Sequence, residues 1–124
     1  MQNFSSDIEF REAFKLRLKQ FALRVIKLYQ ALPKSGEAQV IGKQLLRCAT
    51  SVAANYRASC RARSGKEFYS KLSIVVEEAD ETLFWLELLL DAELFTKNKL
   101  NPIMSESLEI LKIVSTARKN TKIK

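Results

Sequence analysis

The chain has 124 residues, 21 lysines and arginines against 14 acids, and no histidine, for a formal net charge of +7. That length supports one domain over 1–124 with a single core. With 47% hydrophobic and 28% charged residues the sequence belongs to a folded protein, and three glycines and two prolines are too little punctuation for an all-β fold. Without histidine the Ser-His and Cys-His nucleophile pairs and the commonest general base are excluded. Gly36, Gly42 and Gly65 stand alone and build no phosphate loop.

The first helix is expected over 7–32. Ser6-Asp7-Ile8-Glu9 has the spacing of a capping box. Phe14, Leu18, Phe21, Val25, Leu28 and Leu32 follow at alternating steps of four and three, one apolar stripe. Pro33 ends it, because the residue before proline is pushed out of the helical region. The second helix is expected over 37–62, with Ile41, Leu45, Cys48, Ala49, Val52, Tyr56 and Cys60 on one face. Its many alanines and serines let neighbouring helices approach closely.

Ser64-Gly65-Lys66-Glu67 is a second capping box and opens a third helix over 65–93. So short a turn predicts that helices two and three form an antiparallel hairpin. Phe68, Leu72, Val75, Val76, Ala79, Leu83, Leu86 and Leu90 mark the inner face of helix three. Phe84, Trp85, Leu88 and Leu89 widen the stripe past half the circumference, which predicts burial on two sides and makes these four candidates for an oligomer interface. Asn101-Pro102 reads as an N-cap and first helical residue, giving a fourth helix over 102–118 and a basic tail, 119–124, expected to fray. The predicted fold is all-α, an antiparallel up-down-up-down four-helix bundle. Met1 is followed by polar and acidic residues rather than a leader, and no apolar run approaches a membrane span, so the expected location is cytoplasmic, with no membrane partner.

The charge is unevenly spread. Residues 11–71 carry 14 bases and three acids, whereas 72–96 carry seven acids and no base. Glu77, Asp80 and Glu81 share a helical face. Inward carboxylates at such spacing bind metals in di-iron bundles, but those sites also need histidines. Here they are read instead as inter-helix ion-pair partners of Arg47, with no metal, no cofactor and no catalytic residue expected. Cys48 and Cys60, twelve positions apart on one helix, lie about 18 Å apart, beyond disulfide reach. Arg57, Arg61, Arg63 and Lys66, with Tyr56, concentrate around the second turn. Guanidinium groups in a row bind phosphates bidentately and an adjacent aromatic stacks a base, so these five are the nucleic-acid candidates. A solvated basic face, or pairing to Glu67 and to neighbouring subunits, is the alternative.

From Leu28 to Leu90 the sequence resembles the bacterial four-helix bundle proteins first noticed as products of intervening sequences in 23S ribosomal RNA genes. The matching residues are Leu32-Pro33, Gln44-Leu45, Arg47, Ala49, Ser51-Val52, Asn55, Arg61, Arg63, Lys66-Glu67-Phe68, Leu72 and the acidic third helix. The "NYRASCRARS…EEADETLFWLELL" form is similar to one subgroup. Where the commonest family pattern has Asn-x-Ala-Glu-Gly, this chain has Asn55-Tyr56-Arg57-Ala58-Ser59, so no role of that glutamate and glycine carries over. The resemblance implies a bundle without established enzymatic activity that assembles with itself, often as a pentamer. A structurally similar accessory protein works with a reverse transcriptase and RNA, so RNA or DNA and a protein of that kind are the implied partners.

Overall fold

The apolar stripes coil into four helices in a computed structural model that describes residues 4–121, with side chains from residue 8 onward. They are α1 (Phe4–Ala31), α2 (Gly36–Ser59), α3 (Gly65–Asp91) and α4 (Lys97–Asn120), with no strand among the described residues. The helices pack as a bundle: α2 lies most extensively against α3, α3 also against α4, α1 against α2, and α1 touches α4 least.

All six residues of the α1 stripe, Phe14 through Leu32, are buried. They meet Leu45, Ala49, Val52 and Tyr56 of α2, Leu72, Val75, Ala79, Leu86 and Leu89 of α3, and Leu100, Ile110 and Val114 of α4 in one core. Gly42 lets α1 and α2 close on each other: a Cβ there would lie 2.6 Å from Leu32 Cδ1 and 2.9 Å from Tyr29 Cδ1. Across the least-packed seam, Arg17 of α1 grips Glu106 of α4 through two hydrogen bonds (2.8 and 2.7 Å) and lies 3.3 Å from Glu109.

The helix ends match the expected ones unevenly. Ser64 caps α3 as its spacing predicts, with extended backbone (φ −155°, ψ 163°) and its Oγ accepting from Glu67 N–H at 3.0 Å. Ser6, read as the cap of α1, lies inside that helix instead. Helix α2 stops at Ser59 rather than 62, where the Cys60 and Arg61 amides turn back onto the Tyr56 and Ala58 carbonyls. The start of α4 is a clear correction. It begins at Lys97 after Thr96, which makes Asn101 and Pro102 internal. Leu100 is fully buried, and drawing it into the core extends the helix past the local Asn-Pro signal.

Helix α3 ends in a Schellman motif: Leu94 N–H donates to Leu89 O and Glu93 N–H to Leu90 O, each at 3.0 Å. Glu93 carries the left-handed backbone this requires, at φ 57°. A side chain costs about 1 kcal/mol in that region, and glycine removes most of the cost. Glu93→Gly is therefore expected to raise stability by about 0.5–1 kcal/mol in chemical denaturation, and a loss of stability would contradict this backbone assignment.

The α1–α4 clamp adds an acid limb to the stability profile. Hydrogen bonds from Arg17 hold the Glu106 carboxyl below its ordinary value of 4.5, against the opposing effect of its partial burial. A depressed folded-state pKa contributes stability that is present above the unfolded-state value and lost as pH falls through the folded one. Glu106→Gln is expected to cost about 1 kcal/mol at neutral pH, since the pair is partly exposed, and little once the wild-type carboxyl is protonated. Denaturation curves of the two proteins that stay equally far apart at acid pH would refute this.

Candidate nucleic-acid interface

The cationic end of the molecule is assembled where α2 gives way to α3. Arg57 and Arg61, one turn apart, are exposed and make no ion pair among the described residues. Arg63 is exposed too, with its Nε 3.7 Å from Glu67, and Lys66 projects from the first turn of α3. An exposed pair at that distance is weak and easily exchanged for another anion. The first-turn amides of α3 add partial positive charge to the same end.

Beside this turn a cleft of about 1070 Å³ opens between the ends of α1, α2, α3 and α4. Arg11, Arg63 and Lys112 line it above Phe10, Phe68 and Ile113, and Arg11 lies over the Phe68 ring, 5.2 Å from its centroid. A shallower groove of about 540 Å³ runs from Arg63 past Lys66 to Lys71. Cations from all four helices and the α2–α3 turn thus converge on one end of the bundle, which the α2–α3 charge count alone does not reveal.

Tyr56 borders that cleft from within the core but does not join the cations at the surface. It is 3% exposed, packed edge-on against Phe14 with ring centroids 4.9 Å apart, and burial followed by its neighbour Cys60 pushes its hydroxyl pKa upward. No base stacks on it. Its place four residues after Val52 on the apolar stripe is the signal that marks it as core.

The acidic residues sort differently from their spacing. Arg47 reaches Glu81 at 2.7 Å and Glu78 at 3.3 Å, whereas Glu77 and Asp80 are exposed and unpaired among the described residues. The reason is rotational: Glu78 and Glu81 lie on the same side of the buried Val75–Ala79–Leu86 face, the side bordering Arg47 of α2, whereas Asp80 lies as far round on the other side and Glu77 nearly opposite the face. Glu81 Oε2 also accepts from the Cys48 thiol (3.0 Å) and Trp85 Nε1 (3.1 Å), and those hydrogen bonds, the thiol's first, lower its pKa. The Cys48 thiol is pushed up to about 12, by burial first and by its bond to Glu81 second.

Cys48 Sγ and one oxygen from each of Glu78 and Glu81 lie within 4.8 Å of one another, a ligand-like spacing. With a protonated thiol and Arg47 supplying the positive charge, the cluster functions as an inter-helix hydrogen-bonded ion pair, although Glu78 Oε2 has no partner of its own. Both cysteines are free.

Of the four interface candidates on α3, only Phe84 faces outward, at 50% exposed. Trp85 and Leu88 are half-buried against the core, and Leu89 is fully buried within it, closing off any role at the surface. No helix among the described residues is long and apolar enough to cross a membrane.

These features define a class, the all-α four-helix proteins with a cationic end. A family model described as 23S rRNA-intervening sequence protein matches residues 15–116. The chain belongs to that family. Among solved structures it is similar to a protein of unknown function from the S23 ribosomal protein family of Bacteroides thetaiotaomicron, at 36% identity and a TM-score of 0.81, covering 89% of this chain and 98% of that one. No curated protein matches the chain. Neither the family nor the solved neighbour is described as an enzyme.

Proposed function

We propose that this chain is a non-enzymatic, cytoplasmic, self-associating bundle, its helices running antiparallel up-down-up-down, that binds nucleic acid, RNA foremost, through the end formed by the α2–α3 turn. The observation that carries the reading is the exposure of Arg57, Arg61, Arg63 and Lys66 around one turn, beside a cleft that adds Arg11 and Lys112. Guanidinium and ammonium groups so placed accept phosphates, and Arg11 over Phe68 offers a flat cationic face to an unpaired base. The descriptions of the family and of its solved relative, both tied to ribosomal genes or proteins, agree with an RNA ligand.

Fluorescence anisotropy with a mixed single-stranded RNA pool tests it. Four phosphate contacts per protomer predict an affinity that falls with salt at a log–log slope of about −3. Absence of binding at low salt, or affinity indifferent to salt, would sink the reading. A second reading, a scaffold for a protein partner such as a reverse transcriptase, is favoured by Leu16, Leu23 and Phe84, each about half exposed. Capture of such a partner that survives nuclease treatment would select it.

A further inference from the structure

Two outer stripes of the bundle are complementary. On α2 the exposed positions Lys43, Arg47, Thr50, Ala54 and Arg57 follow each other at steps of four and three, and exposed Arg61 stands just beyond the helix end. At 100° per residue they fall within an arc of about 80°, opposite the buried face. On α3 the exposed positions Glu77, Asp80, Phe84, Glu87 and Asp91 occupy an arc of the same width, again about 80°. One stripe is purely basic and the other purely acidic.

Each also has a distinct centre. Thr50 and Ala54, both small, divide the basic stripe, with two cations on either side. Phe84 divides the acidic one, with two carboxylates on either side. Along the axis the carboxylates lie about 4.5–10.5 Å from Phe84, and the cations about 7.5–13.5 Å from the midpoint of the small pair. Long basic side chains span the difference.

The charges are also unspent. Lys43, Arg57 and Arg61 make no ion pair among the described residues, and neither do Glu77, Asp80, Glu87 and Asp91. Only Arg47 is already engaged, with Glu78 and Glu81 of its own chain. Single-sign stripes repel themselves on an isolated chain and are relieved by a partner of opposite sign.

We infer that the two stripes are the halves of one contact between copies of this chain, in which Phe84 of one copy seats over Thr50 and Ala54 of the next and the flanking acids meet Lys43 and Arg57. The inference rests on the proposed self-association and names its surface. Because the two halves are different surfaces, the contact is heterologous, and each copy gives its α2 stripe to one neighbour and its α3 stripe to another. Repetition of that contact closes as a ring or extends as a filament. Arg57 then belongs to the contact, and Arg61, Arg63 and Lys66 remain for nucleic acid.

Charge reversal followed by mass in solution, with circular dichroism confirming the fold, tests the inference. Lys43→Glu with Arg57→Glu, and separately Glu77→Lys with Glu87→Lys, are each expected to weaken assembly tenfold or more. All four changes on one chain restore complementarity and are expected to restore assembly. Ala54→Trp, which fills the seat of Phe84 without changing charge, is expected to dissociate it. A monomeric wild-type protein at micromolar concentration would overturn both this surface and the self-association it rests on. An oligomer unmoved by either reversal, or four-charge chains that stay apart, would overturn the surface alone. So would an α2 reversal that abolishes RNA binding while leaving the mass unchanged.

Discussion

Replacing Arg61, Arg63 and Lys66 together by alanine is expected to lower RNA affinity by about two orders of magnitude at low salt and to reduce the magnitude of the salt slope by about 2. All three side chains are exposed, so their loss leaves the core untouched, and surface substitutions of this kind usually stay within about 0.5 kcal/mol each. A large loss of binding with an unchanged melting curve is therefore specific to the ligand. The weakening should be nearly uniform across RNA sequences, because phosphate contacts position the chain without reading bases. Lys27→Ala, Lys34→Ala and Lys97→Ala together serve as a control, removing three exposed positive charges that make no ion pair among the described residues. An equal loss in that control would mean that bulk charge rather than this end of the bundle attracts the RNA.

The largest expected effect on stability comes from a glycine. In Gly42→Val three carbons must enter a space where the first already meets Leu32 Cδ1 at 2.6 Å and Tyr29 Cδ1 at 2.9 Å. Leu32 is 2% exposed and has no solvent side to swing toward, and the Tyr29 hydroxyl donates to Gln39 Oε1 at 3.2 Å. The α1–α2 seam must open or the side chains must leave their rotamers, at a cost of about 2–3 kcal/mol. Gly42→Ala is the informative companion. Its clash is smaller and is offset by about 1 kcal/mol of helix propensity, so it should lie well above valine in stability. Urea denaturation ranks the three proteins, and a valine variant as stable as wild type would contradict the close approach of α1 and α2.

How much of this was legible in the sequence differs by residue. The α1 stripe was readable because Phe14, Leu18, Phe21, Val25, Leu28 and Leu32 obey one period without exception, and all six are buried. The Ser64 cap was readable because capping is decided by atoms three residues apart. The start of α4 was not, since the local Asn101-Pro102 signal yields to burial of Leu100 against helices far away in the chain. Gly42 and the Arg17–Glu106 clamp depend on which helices become neighbours, something no local pattern encodes. For the candidate site, the arginines and Lys66 are where their polarity implies, while Tyr56 stands in basic company but holds a core position on the apolar stripe. The cleft that adds Arg11 and Lys112 needs α1, α3 and α4 brought together.

The central claim is that the α2–α3 end is the nucleic-acid face. Ultraviolet crosslinking of the bound RNA pool, followed by mass spectrometry of the crosslinked peptides, tests it most directly. The account predicts adducts concentrated between residues 61 and 71, with a second set near Arg11 and Lys112. Adducts confined to the opposite end, around Lys34 or Lys97, or none above a denatured control, would contradict it.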